Sequence, residues 1–205
     1  MAIKRAYTVQ NIIDKKYDLF DFEGEWYDAF DKPETTGVWF IWGNSGNGKT
    51  SFILQLIKEL SRFENILFNS REEGTSHTLR KSFDNFSMAD VKKKLLVVNE
   101  NMDELTKRLS QKKSPKVVII DSFQYTQMSY FQYLRFREQF PNKLLIFISH
   151  ADGKSPSGRS AKSVMYDASL KIWVEGYRAF SKGRYIGETG HFTIWEKRAN
   201  QYWGE

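Results

Sequence analysis

The residues able to do chemistry begin at Gly43. Gly43-Asn44-Ser45-Gly46-Asn47-Gly48-Lys49-Thr50 fits the spacing G-x-x-x-x-G-K-[ST]. Each residue type answers a need of a bound triphosphate. Glycines let the backbone curl until successive N–H groups point at one anion. A helix starting near Lys49 adds the positive end of its dipole. Lys49 supplies a point charge for the β- and γ-phosphates, and Thr50 offers a hydroxyl to Mg²⁺. Ser51, the next residue, is grouped with the cradle. The spacing predicts a nucleoside triphosphate site, for ATP with Mg²⁺, running from Gly43 to Ser51.

Acids stand where such a site needs them. Asp121 closes the run Val117-Val118-Ile119-Ile120. Four apolar residues ahead of one carboxylate describe a buried strand delivering an acid to its C-terminal edge, where ligands of open α/β sheets bind. An acid there orients the water shell of Mg²⁺, so Thr50 and Asp121 are the expected metal contacts. Ser122 follows Asp121, so the acid–acid pair of the AAA+ class is missing and a base for water must come from elsewhere. Glu72 and Glu73 directly follow the apolar run Ile66-Leu67-Phe68. A carboxylate at that strand end can face the γ-phosphate and activate water. Glu73 also suits the first turn of a following helix, where the macrodipole favours an acid. The chain has neither an Asn-Lys-x-Asp guanine-reading motif nor a Leu-Ser-Gly-Gly-Gln transporter signature.

The elements that must position these residues follow from apolar patterning. Val38 to Trp42 predicts a strand ahead of the glycine loop, and Ser51 to Phe63 a helix behind it. Ile66 to Phe68, Leu95 to Val98, Val117 to Ile120 and Leu144 to Ile148 predict further strands. Thr75 to Phe83, Met102 to Leu109 and Met128 to Phe140 predict helices, the last stopped by Pro141. Ala151 to Ser163 reads as a Gly/Ser/Lys loop and Leu170 to Val174 as a strand. Arg184 to Ile186 and Phe192 to Trp195 read as a hairpin around Glu188-Thr189-Gly190. Short apolar strands alternating with helices predict an α/β fold: a mainly parallel sheet, helices on both faces, and a C-terminal β-hairpin. Residues 1–36 read as an N-terminal extension ending in the loop Lys32 to Gly37, and residues 37–205 as the core.

Composition narrows the function classes. A length of 205 residues suits one α/β domain, and 40% hydrophobic residues suffice for a core. With no cysteine, disulfides, zinc–thiolate sites and thiol catalysis are excluded. His77, His150 and His191 lie far apart and form no short metal-ligand motif. No apolar run approaches a membrane span, and Met1 to Arg5 lacks the apolar stretch of a signal peptide, so a cytoplasmic protein with no membrane partner is expected. The net charge of +6 is compatible with a polyanionic partner.

In this order the motifs resemble the RecA superfamily of P-loop ATPases, most closely its RadA and DnaB-like branch. Ile66-Leu67-Phe68-Asn69-Ser70-Arg71-Glu72-Glu73 is similar to that branch's strand-plus-glutamate segment. There the resemblance makes Glu72 the catalytic base. Asp121-Ser122-Phe123-Gln124 resembles its Asp-Ser-x-Gln, and Ile148-Ser149-His150 stands where the family carries a polar sensor. Tyr166-Asp167-Ala168, followed by Leu170 to Glu175, resembles the segment after its second DNA-contacting loop. Lys182-Gly183-Arg184-Tyr185 resembles a Lys-Asn-Arg-Phe motif whose basic residues reach a neighbouring subunit's ATP. The likeness covers about residues 37 to 198 and the bare core only, similar to the single-domain recombinases and annealing ATPases of phages. It implies a RecA-like ATP hydrolase with Lys49, Glu72, His150, Lys182 and Arg184 at its catalytic site.

The resemblance also implies single-stranded DNA and further copies of the chain as partners, in a ring or filament. The stretch Asp152 to Ser163 supplies Lys154, Arg159 and Lys162 for DNA phosphates. Phe123 to Arg137 interleaves aromatics with arginines, a pattern of stacking platforms, although core packing is the commoner reason for it. Trp26-Tyr27-Asp28-Ala29 loosely matches an aromatic-x-x-Ala segment that docks onto the next subunit of filament-forming relatives; packing on its own core is favoured. The expected role is DNA recombination, annealing or replication. A regulatory ATPase acting through protein contacts and a small-molecule phosphotransferase are the alternatives.

Overall fold

The structure, a computed structural model, describes residues 6–205. Its strands are β1 (Gly37–Gly43), β2 (Ile66–Ser70), β3 (Leu95–Val98), β4 (Val117–Asp121), β5 (Leu144–Asp152), β6 (Ser155–Pro156), β7 (Leu170–Glu175), β8 (Arg178–Gly183) and β9 (His191–Thr193). Its α-helices are α1 (Val9–Ile13), α2 (Glu25–Phe30), α3 (Lys49–Ser61), α4 (His77–Asn85), α5 (Met102–Leu109), α6 (Phe123–Thr126), α7 (Tyr130–Gln139), α8 (Arg159–Asp167) and α9 (Glu196–Trp203). A short 3₁₀ turn covers Met88–Val91.

The sheet runs β3-β2-β4-β5-β1-β7-β8-β9, with β6 paired to β5. From β3 to β7 every pairing is parallel, and β8 and β9 add antiparallel. The strand carrying the glycine loop therefore lies beside β5, one strand away from the strand carrying Asp121. Parallel strands need crossovers, and helices supply them on both faces.

Alternation along each strand feeds two cores. Trp39, Ile41, Ile119, Ile146 and Ile172 point to one face, under Phe52, Leu56 and Leu60 of α3. Phe40, Val118, Ile120 and Phe147 point to the other, under Tyr133 and Phe136 of α7 and Val164 of α8. Tyr133 donates its hydroxyl to Asp167, which also pairs with Arg137 at 2.6 Å, tying α7 to α8. The aromatics of α7 divide accordingly: Tyr133 and Phe136 are core, and Tyr130 and Phe131 are exposed.

Helix starts follow local chemistry. Asn101 with Glu104, and Ser129 with Gln132, form reciprocal capping boxes at α5 and α7. Ser76 caps α4.

Residues ahead of β1 share the first core. Phe20 and Phe22 are buried against Trp39. In α2, Ala29 is buried and Trp26 stacks on Phe192 with centroids 4.2 Å apart, so the aromatic-x-x-Ala segment faces its own fold.

Two sequence expectations are corrected. Ala151 to Ser163 is not a loop: β5 continues to Asp152, turns at Gly153 (φ 60), pairs with β6, and α8 begins at Arg159. Gly, Ser and Pro dominate the composition there and hide the spacing of Ala161, Val164 and Ala168, which bury one face. Arg184 to Ile186 is not a strand either. The strand is β8, paired with β7 along its length, and Gly183 (φ 128) ends it. The alternation of buried Ala179 and Ser181 is masked by Arg178 and Lys182 around it. The antiparallel C-terminal strands are present, shifted toward the N-terminus; Trp195 caps α9 instead of closing β9.

Candidate functional site

β1 ends on Gly43, flanked by His150 of β5 and Val174 of β7. A Cβ on Gly43 would lie 2.2 Å from the Val174 carbonyl oxygen, so the close approach of these strands requires glycine. The chain then curls. Gly46 (φ 79) and Gly48 (φ 96) take left-handed conformations that other residues rarely adopt. α3 starts at Lys49, with its first N–H groups open above the loop.

Lys49 folds back over the loop. Its ammonium donates to the carbonyls of Gly43 (2.8 Å) and Asn44 (3.1 Å). Asn44 donates to Gly153 O, tying the loop to the β5–β6 turn. Asn47 accepts from the backbone N–H of Gly176 through its side chain and of Tyr177 through its carbonyl. The loop is thus braced on both sides.

Asp121 lies in register between Ser70 and Ile148. Arg71 and Glu72 both donate their backbone N–H to Asp121 O, which draws the β2–α4 segment over the sheet edge. Glu72 faces His150, with oxygen and Nε2 3.3 Å apart. Glu73 accepts from the Thr78 hydroxyl in the first turn of α4. Gln124 braces the end of β5: its amide donates to Ser149 Oγ and Ser157 O, and its oxygen accepts from His150 N–H.

One cleft of about 480 Å³ brings these residues together: Gly48, Lys49, Thr50 and Ser51 line it, and Glu72, Asp121 and His150 enter it from the β2, β4 and β5 side of β1. Its electrostatics are strained. Burial, then the charges of Glu72 and Glu73, push the Asp121 carboxyl up to about 7, against the pull of Lys49. Burial lowers the Lys49 ammonium, while Asp121 and Glu72 oppose that shift. Two carboxylates, Asp121 and Glu72, thus act on one half-buried cation.

That arrangement fits a divalent metal arriving with a triphosphate. Ser70 Oγ lines the same cleft, is fully buried and has no hydrogen-bond partner among the described residues; Ser122 Oγ, next to Asp121 in sequence, is likewise buried and without a partner among them. An orphaned hydroxyl beside an acid suits a metal's water shell. Among the described residues no three acids or histidines converge to hold a metal alone. Thr50 and Asp121 would therefore share it with phosphate oxygens.

The remaining expected residues lie elsewhere. Lys182 pairs with Lys171 at the start of β7, and Arg184 donates its backbone N–H to Ser169 O. Both are exposed, and neither lines the cleft. Lys154 is exposed at the β5–β6 turn, and Arg159 and Lys162 are exposed on α8. The Lys154 and Lys182 ammonium groups each stand 5.9 Å from the Trp173 ring.

The structure adds residues that patterning did not single out. Tyr177, Trp195 and Arg198 also line the cleft, from the β7–β8 side of β1. They come from the β7–β8 turn and α9, far from the glycine loop in sequence, and no local spacing joins them. Ser70 left a trace: with Asn69 it makes a polar end to a strand that begins with three apolar residues.

Comparison with known proteins agrees with this geometry. A family model described as AAA domain matches residues 32–149. Among solved structures, a KaiC-like protein from the hyperthermophilic archaeon Pyrococcus horikoshii OT3 superposes with a TM-score of 0.53 and 18% identity, over 78% of this chain and 89% of that one. The flagellar accessory protein FlaH from Methanocaldococcus jannaschii superposes with a TM-score of 0.57 and 13% identity, over 86% of this chain and 92% of that one. A comparison with curated protein sequences finds no match.

Proposed function

The chain belongs to the AAA domain family and is a P-loop ATPase of RecA-like fold, and on that premise we propose that it hydrolyses ATP with Mg²⁺ as a motor of the RadA/DnaB-like branch acting on single-stranded DNA. The observation that carries the hydrolytic part is the convergence of Lys49, Asp121, Glu72 and His150 on one cleft. Gly43 to Ser51 hold the phosphates, with Lys49 swinging from its loop carbonyls to the β- and γ-oxygens. Thr50 and Asp121 would hold the metal, which would supply charge neutralisation for the transferred phosphoryl group. Glu72 accepts the proton of the attacking water. His150, within reach of Glu72, orients that carboxylate and contacts the γ-phosphate.

Lys182 and Arg184 belong to a different surface. Exposed and outside the lining of their own cleft, they suit a role in trans, on the nucleotide of an adjacent copy in a ring or filament. Lys154, Arg159 and Lys162 project from the β5–β6 turn and α8, and this exposed basic face is the proposed track for DNA phosphates. The role in view is recombination, annealing or replication.

The test is the ATPase rate with and without single-stranded DNA, at low and raised salt. Stimulation by DNA is expected, with binding that falls steeply as salt rises. Replacing Lys154, Arg159 and Lys162 together should abolish the stimulation and leave the DNA-free rate unchanged. Neither stimulation nor binding at low salt would remove the DNA reading and favour a regulatory ATPase of the same fold.

A further inference from the structure

The acid-lined end of the cleft accounts for phosphates, metal and water, and leaves the opposite end without a role. β2, which leads to Glu72, lies three strand positions to one side of β1, and the β7–β8 turn lies on the other. A triphosphate seated on the glycine loop with its γ end toward Glu72 directs its nucleoside toward that turn.

The groups waiting there are planar. Trp195 is 50% exposed yet lines the cleft. The Arg198 guanidinium stands 4.8 Å from the Trp195 ring centroid and 5.4 Å from that of Tyr177. Arg198 also donates to the Tyr177 hydroxyl at 3.0 Å. The Tyr177 and Trp195 rings meet edge to face, with centroids 6.1 Å apart. The group is anchored to the phosphate loop. Tyr177 holds a left-handed backbone (φ 59), donates its N–H to Asn47 O, and its ring lies where a Cβ on Gly48 would approach to 3.1 Å. Ile194 N–H donates to Tyr177 O, which fixes the start of α9 beneath Trp195.

We propose that Trp195, Tyr177 and Arg198 form the platform on which the nucleobase stacks. The proposal rests on the nucleotide reading of the P-loop and extends it to the part of the ligand the loop does not touch. Every base has a π face, and an indole flanked by a guanidinium offers both stacking and cation–π attraction. Arg198 holds the ring set in the absence of ligand, so little ordering remains to be done when a base arrives. The half-exposed indole is then a binding surface, not a core residue that failed to bury.

The test compares a ligand that has a base with one that lacks it. Mg-ATP and Mg-tripolyphosphate are titrated calorimetrically into the wild-type chain, Trp195→Ala and Trp195→Phe. Trp195→Ala should weaken ATP by roughly tenfold or more, the range of single base–aromatic stacks, and leave tripolyphosphate within about twofold. Trp195→Phe should recover most of the loss, and Arg198→Ala should show the same ligand selectivity as Trp195→Ala. Equal weakening of both ligands, or no change in ATP, overturns the platform. If the wild-type chain binds neither ligand, the nucleotide reading fails and the platform with it.

Discussion

His150 Nε2 lies 3.3 Å from a carboxylate oxygen of Glu72, although His150 belongs to β5 and Glu72 to the turn after β2. The contact spans the cleft end where Asp121 stands, and it gives Glu72 a fixed direction that Glu73, turned into α4, does not share. Glu72→Gln removes the proposed proton acceptor and keeps the shape. Hydrolysis should fall by about 10²- to 10⁴-fold with ATP affinity nearly unchanged. Steady-state ATPase rates beside equilibrium binding check this. Glu73→Gln should leave most of the rate, and the reverse ranking would assign the base to Glu73.

Lys49 serves two states of the loop. Without ligand it satisfies the carbonyls of Gly43 and Asn44 and offsets buried acid. With ligand its proposed place is on the phosphates. Lys49→Ala should weaken ATP by about 1.5–3 kcal/mol, the worth of a charge-assisted hydrogen bond. Calorimetric titration measures the loss. An unchanged affinity and rate would remove the P-loop assignment.

Asp121 sets function against stability. Its carboxyl is buried beside Glu72 and Glu73, so holding it charged costs the ligand-free fold free energy. Asp121→Asn relieves that repulsion while removing the metal contact. Around and above pH 7, where the wild-type carboxyl is charged, the variant should be more stable by on the order of 1 kcal/mol or more and so melt at a higher temperature, and it should lose Mg²⁺-dependent hydrolysis. Thermal melts without nucleotide and rates across a Mg²⁺ titration check both halves. A lower melting temperature would mean that Asp121 is structural first.

The legible parts of the chain were those whose signal is local. The glycine loop, the acid after Val117 to Ile120, and β3 and α5 to the residue follow from spacing within a few positions. The phosphate cradle and the acids beside it were therefore available from sequence, and the structure places Glu72, Asp121 and His150 at one end of that cradle. Segments whose partner is distant were not legible. α8 buries only Ala161 and Val164 from a Gly/Ser-rich stretch, and what makes it a helix is the sheet face beneath. β8 is polar enough to pass for a turn until β7 pairs with it. Tyr177, Trp195 and Arg198 meet through the sheet's far side, which no period in the sequence encodes.

Gly43 is the position where loop and sheet make incompatible demands on any other residue. A side chain there would put Cβ 2.2 Å from Val174 O and 3.1 Å from Val174 C. Both atoms belong to the backbone of β7, so relief requires the strands to part. Gly46 differs: nothing lies within 4 Å of its would-be Cβ, and only its φ of 79 resists substitution. Gly43→Ala should therefore destabilise the whole domain by at least the 1–3 kcal/mol typical of overpacking, about what forcing β1 from β7 implies. Gly46→Ala should cost only about 1 kcal/mol, the left-handed backbone penalty, and act mainly on nucleotide affinity. Urea unfolding of both variants, followed by ATP titration of Gly46→Ala, separates the effects. Equal stability losses would mean that the β1–β7 contact is looser than its register implies.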